Sequence, residues 1–292
     1  MSEKDFELVP TVKLAEGIEM PLVGFGVYEF NEEECEKYLL DALSVGYRLI
    51  DTAEIYENEA AVGRAWRKSG INRDELFITT KVWLSSYGDG KTMNTIDGML
   101  KKLQTDYIDL LLLHEPYCDY YGAWRDMEKA VKQGKVRALG VSNFYFDRYY
   151  DLLQNFEMKP LVNQLETNVF TQQREMQDLC KQYGTHLEAW SPFNTGENGL
   201  FTNPVLAEIA QKYNKSIAQV ALRCLVQRGI TVIPKSSKKE RMIQNKDIFD
   251  FNLSDEDMQK IATLNESNGW SCNWDDHNSR MDFISEDFYE EE

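Results

Sequence analysis

Eight short apolar runs, each followed by a longer stretch of helical periodicity, restrict the folds open to this chain more than any other feature. The runs are 22–25, 48–51, 76–81, 108–114, 138–141, 161–164, 186–190 and 231–234. Between them, 32–45, 58–69, 93–103, 121–133 and 172–183 place apolar residues on one helical face. Gly70, Gly134 and Gly184 stand where three of these helices must stop, since glycine takes the left-handed conformation that closes a helix without steric cost. Two more helical patterns, 204–213 and 216–227, precede the last run. Strands that alternate with helices pair in parallel, and eight of them favour closure into one (β/α)8 barrel, the TIM barrel, over an open doubly wound sheet. Residues 12–20 predict a small hairpin that turns at Gly17 and caps the bottom of the barrel.

The length of 292 residues suits a single barrel domain, 1–292, with 1–10 and the acidic 286–292 expected to fray. A formal charge of −17 argues against nucleic acid as a partner, because phosphate backbones demand a basic surface. No run of about 18 apolar residues predicts a membrane span, and the charged N-terminus lacks the apolar core of a signal peptide. A cytoplasmic monomer with no membrane partner is the expectation. The cysteines at 35, 118, 180, 224 and 272 form no CxxC pair, so free thiols and no metal site are expected.

Polar or aromatic residues fall after the runs in succession. Asp51 ends the second, Lys81 the third and His114 the fourth. Ser142 and Asn143 follow the fifth, Gln164 the sixth, Trp190 and Ser191 the seventh, and Lys235 and Ser236 the eighth. In a βα barrel these ends form one rim, where such enzymes carry their chemistry. Turn composition alone does not account for seven such ends in a row. Gly24-Phe-Gly26 lacks the third glycine of a dinucleotide-binding strand–helix turn, so a Rossmann reading fails. Tyr87-x-x-x-Lys91 lies in a glycine-broken loop and is a chance match to the short-chain reductase pattern.

Three segments taken together, 46–63, 139–144 and 233–245, resemble the long motifs of the aldo-keto reductase family in the right order, within a match from about Val12 to Asn265. The resemblance implies a catalytic set of Asp51, Tyr56, Lys81 and His114. Hydride addition to a carbonyl creates an alkoxide, so a proton donor must face the oxygen where charge develops. A free tyrosine has a pKa near 10; an ammonium at Lys81, kept charged by Asp51, would favour the phenolate and make Tyr56 a better donor. The family also implies NADPH as cofactor. Asp51, Ser142, Asn143, Gln164 and a stacked Trp190 would surround the nicotinamide, and Ser191 would meet the pyrophosphate. Lys235, Ser236 and Arg241 would take the 2′-phosphate, with Gln244 and Asn245 at the adenine. The segment 235–241 holds four basic residues against one acidic one in an acidic chain, which suits phosphate.

Tyr28, Trp83, His114, Phe193, Trp270 and Trp274 are expected to wall the substrate pocket, the last two from a C-terminal substrate loop. The short loop after His114 resembles that of compact microbial members, which implies reduction of small aldehydes, dicarbonyls or sugar-derived ketones. Glu115 departs from the family, which usually has an aromatic or glutamine there; it is expected to face the barrel wall or solvent. Two competing functions remain open at this point. One is a cofactor-sensing regulatory subunit with the same barrel and little turnover. The other is an isomerase or aldolase barrel using Lys81 as a Schiff base.

Overall fold

The computed structural model describes residues 9–266. β1 (Thr11–Ala15) and β2 (Ile18–Pro21) pair antiparallel around Gly17, whose φ of +72° is the left-handed value that the turn needs. Eight strands then follow: β3 (Gly24–Gly26), β4 (Leu49–Asp51), β5 (Phe77–Val82), β6 (Ile108–Leu113), β7 (Val136–Ser142), β8 (Val162–Glu166), β9 (His186–Trp190) and β10 (Thr231–Val232). They lie parallel and in chain order. A bridge between Val23 and Val232 closes the ring, with the Val232 N–H donating to the Leu22 carbonyl at 3.0 Å. The (β/α)8 barrel is therefore present, and every predicted strand takes part in it.

Helices α1 (Glu32–Ser44), α2 (Glu59–Ser69), α3 (Lys91–Leu103), α4 (Tyr120–Lys132), α5 (Phe146–Asn155) and α6 (Arg174–Gln182) occupy the successive crossovers. α7 (Pro204–Tyr213) and α8 (Ile217–Gln227) precede β10, and α9 (Lys239–Lys246) and α10 (Asp255–Ala262) follow it. Helical spacing does not announce α5, and the reason is physical. Tyr149, Leu152 and Leu153 bury one face, but Phe146 and Tyr150 leave aromatic rings on the other, so the polar stripe is blurred. α10 is set instead by its start: Ser254 caps it by accepting the Asp257 N–H, and three acidic residues fill its first turn.

The core has two layers. Leu49, Phe77, Leu110, Leu112, Ala138 and Val162 fill the barrel interior, and Met20, Val12, Leu14 and Ile18 of the hairpin pack against them. The hairpin thus plugs the end opposite the rim. Outward-facing residues such as Ile50, Ile78, Leu111 and Leu139 join the helices in a second cluster. At Gly140 a Cβ would come within 2.5 Å of Leu112 and 2.6 Å of the Val162 carbonyl, so only glycine lets β7 sit this close to its neighbours just before Ser142.

Candidate active site

Asp51, at the end of β4, and Lys81, within β5, both point into the barrel. Lys81 is fully buried, and its Nζ donates to Asp51 Oδ1 at 2.6 Å, the Thr52 carbonyl at 3.0 Å and the Tyr56 hydroxyl at 3.4 Å. Tyr56 rides on a single 3-10 turn, Glu54–Tyr56, that Glu57 ends at a left-handed φ of 55°. Two residues fix this turn. Asn58 is buried; it donates to the Val27 and Phe30 carbonyls at 2.9 and 3.1 Å and accepts from the Thr52 hydroxyl at 2.7 Å. Glu54 accepts the Trp83 N–H at 2.8 Å and the Ser86 hydroxyl at 2.6 Å. Sequence reasoning gave neither residue a role; both lie inside the long motif, which was their only signal.

His114 follows β6 and meets Tyr56 and Trp83 edge-on, with ring centroids 5.7 and 4.9 Å away. Burial, and secondarily the Lys81 charge, hold its pKa well below the ordinary histidine value, so the imidazole is neutral. Its Nδ1 is buried without a partner among the described residues. Burial also opposes the ammonium of Lys81, but Asp51 and Tyr56 outweigh it and the pKa ends above the usual lysine value. For Tyr56 the balance runs against the sequence expectation. Lys81 does pull the hydroxyl down, yet burial pushes harder and holds it up at about 12.

The other rim residues surround the same space. Ser142 ends β7, and Asn143 follows at a left-handed φ of 61°. Trp190 Nε1 donates to Asn143 Oδ1 at 2.9 Å, and Asn143 Nδ2 donates to Glu115 Oε1 at 2.5 Å. Glu115 therefore does not face the wall or solvent. It is buried and borders the cavity, and burial raises its carboxyl well above the usual carboxylate range. Tyr87 explains the inward turn: its hydroxyl donates to the Glu115 carbonyl at 2.9 Å and accepts the Glu115 N–H at 3.2 Å.

Asp51, Tyr56, Trp83, His114, Glu115, Ser142, Asn143 and Trp190 open onto one groove of about 1310 Å³. Every predicted site residue within the described chain borders it except Lys81, which lies beneath Asp51 and Tyr56. At the far end, Lys235 pairs with Glu29 at 2.7 Å, and Ser236 holds the turn into α9 by accepting the Lys238 N–H at 3.1 Å. Arg241 and Gln244 are exposed, while Asn245 is buried. Tyr28 leans over Tyr56 with centroids 4.9 Å apart, and Phe193 packs on Phe201 at 5.7 Å. Trp270 and Trp274 lie outside the described residues. Sequence reasoning missed the wall built by Thr195, Gly196 and Phe201 with Ser216, Ile217 and Ala218. Its only signal is the Asn- and Gly-rich composition of 194–199, which matches the left-handed φ values at Asn194, Thr195, Gly196, Asn198 and Gly199.

The model of the aldo/keto reductase family matches residues 22–266. Glyoxal reductase of Bacillus subtilis is 49% identical over 261 residues, covering 89% of this chain and 94% of that protein. Methylglyoxal reductase DkgA of Escherichia coli is 39% identical over 88% of this chain and 94% of its own length. Among solved structures, an aldo/keto reductase from Brucella melitensis superposes with a TM-score of 0.85 at 40% identity, covering 88% of this chain and all of that one. A Bombyx mori aldo-keto reductase in complex with NADP superposes with a TM-score of 0.84 at 34% identity, covering 89% and 94% of the two chains.

Proposed function

The chain belongs to the aldo/keto reductase family, and from that premise we propose that it reduces small aldehydes, ketones or dicarbonyls to alcohols with NADPH, Tyr56 acting as general acid. The observation that carries this reading is the cluster in which Lys81 Nζ meets Asp51 at 2.6 Å and the Tyr56 hydroxyl at 3.4 Å beside His114. The likeness to the Bacillus subtilis and Escherichia coli relatives adds the substrate class, since those two are named for glyoxal and methylglyoxal.

The groove fits NADPH. It has a volume of about 1310 Å³, runs from Asp51 and Tyr56 to the basic segment 235–241, and is lined by Gln164, whose Oε1 has no partner among the described residues. Bound there, NADPH supplies a hydride to the carbonyl carbon. Ser142, Asn143, Gln164 and Trp190 hold the nicotinamide end, Ser191 the pyrophosphate, and Lys235, Ser236, Arg241, Gln244 and Asn245 the adenosine phosphate end. The Tyr56 hydroxyl gives its proton to the carbonyl oxygen, and the neutral His114 donates a hydrogen bond to the same oxygen. Lys81 and Asp51 hold the tyrosine in place and take up part of the field created when its proton leaves. Tyr28, Trp83 and Phe193 enclose the substrate.

Lys81 suits this work better than Schiff-base chemistry, because each of its three N–H donors already faces an acceptor and Asp51 keeps it protonated. One barrel carries both the groove and the acid–base cluster, so a single domain suffices. The test is a screen of NADPH oxidation over small carbonyl compounds. Turnover of glyoxal-like aldehydes is expected; cofactor binding with no turnover of any carbonyl would favour a cofactor-sensing subunit instead.

A further inference from the structure

Gln164 and Glu188 are register partners on β8 and β9, so their side chains stand together on the inner face of the barrel. Both are buried. Gln164 Nε2 donates to Asp51 Oδ2 at 2.8 Å and to Glu188 Oε2 at 2.8 Å. A primary amide nitrogen carries two N–H groups, and both are therefore committed to carboxyl oxygens. Rotating the amide by half a turn would set its carbonyl oxygen 2.8 Å from Asp51 Oδ2, where two acceptors would repel each other. The oxygen Oε1 has no partner among the described residues and must face the groove, where Gln164 forms part of the wall.

We propose that Glu188 is a positioning residue that fixes Gln164 with its carbonyl oxygen toward the groove, so that the site demands an N–H donor from the ligand at this point. For the reading above, on which this rests, that donor is the carboxamide N–H of the nicotinamide. Neither Asp51 alone nor the strand backbone gives the same constraint: with one acceptor, one Gln164 N–H would be left unpaired in a dry interior and the amide would gain a reason to turn. Burial, with Asp51 next, pushes the Glu188 carboxyl up to about 8. Its Oε1 has no hydrogen-bond partner among the described residues, so Oε2 alone ties this carboxyl to Gln164.

The experiment compares binding, by calorimetry, of oxidised NADP and of its 3-acetylpyridine analogue, which lacks the amide N–H. The unsubstituted protein is expected to favour NADP by about three- to tenfold, the scale of one neutral hydrogen bond. Gln164→Ala should remove that preference, and Glu188→Met, which keeps the volume but not the acceptor, should cut it to below about twofold. Full preference retained in Glu188→Met overturns the positioning role. Absence of NADP binding, or a preference untouched by Gln164→Ala, would instead sink the cofactor assignment of the groove, so the two failures are distinguishable. Should Glu188→Met not fold, the Gln164 side-chain amide in the unsubstituted protein, identified by its loss in Gln164→Ala spectra, carries the test. Both amide protons are expected to exchange slowly with solvent; one fast-exchanging proton overturns the proposal.

Discussion

The two ends of the groove solve different electrostatic problems. At the deep end, Asp51, Lys81, His114 and Glu188 are buried, and charges there interact through little water. The result is large perturbations: His114 is driven neutral, Tyr56 is held at about 12, and Lys81 stays charged against burial because Asp51, 2.6 Å away, and Tyr56 outweigh it. At the outer end Lys235 and Arg241 are exposed, and the Lys235–Glu29 pair, at 2.7 Å, sits in solvent. Such pairs contribute little by themselves. The deep end can therefore change the chemistry of a bound group, whereas the outer end can only choose which ligand binds and how tightly.

The largest effect should come from the deep end. Tyr56→Phe keeps the ring and removes the proton donor, so carbonyl reduction should fall by at least ~100-fold while cofactor affinity holds. Stopped-flow reduction assays beside binding titrations check both halves, and normal turnover in the variant would remove Tyr56 as the acid. A hydroxyl held at about 12 also keeps its proton across neutral pH. Reduction by the unsubstituted enzyme should then be flat from about pH 6 to about pH 9, and His114, already neutral, should add no acid limb there. A fall centred near neutrality would mean that Lys81 outweighs burial after all.

The next effect belongs to the outer end. Arg241 is exposed and free of ion pairs among the described residues, so its guanidinium can meet a phosphate with paired hydrogen bonds. Arg241→Ala should weaken NADPH by roughly 10- to 150-fold, the worth of one charge-assisted bond, with NADH changed far less. Equal losses for the two cofactors would show that the segment acts on the fold of α9 rather than on the 2′-phosphate.

The contrast between the ends also explains what the sequence could and could not reveal. Strand-end residues such as Asp51, Lys81, Gln164 and Lys235 were legible because the βα periodicity places each run's end on one rim. The direction of Glu115 was not, because it is decided by Tyr87, 28 residues away in the chain. Glu188 looks from its neighbours like an ordinary polar position in an alternating strand, and only its register with Gln164 places it inside. Glu54 and Asn58 act through contacts to the loops after β5 and β3, which no local pattern encodes. Lys81's upward pull on Tyr56 acidity was readable as a direction, but its contest with burial was not, since burial depends on packing that the sequence does not state.

Salt should separate the ends more gently. Raising ionic strength from about 0.1 M to about 1 M shortens the screening length from ~10 Å to ~3 Å. The preference for NADPH over NADH should shrink several-fold over that range, because it rests on exposed charges. The single-turnover reduction rate with cofactor already bound should stay constant, because the Asp51–Lys81 pair is dry. A rate that falls in step with affinity would show that solvent ions reach the deep end.

The smallest expected effect tests whether the outer end is already partly neutralised. Lys235 is the basic residue nearest the end of β10, but its ammonium is 2.7 Å from Glu29, so a phosphate arriving there meets a cation and its counter-ion together. Glu29→Gln keeps the size of the side chain and removes the charge. NADPH should then bind about two- to threefold more tightly, within the range of an exposed pair, and NADH should not change. Because the gain is electrostatic and exposed, it should disappear at about 1 M salt. Weaker NADPH binding in Glu29→Gln would mean the opposite arrangement, in which Glu29 holds Lys235 in the position the phosphate needs, and the outer end would then share the preorganisation so far confined to the deep one.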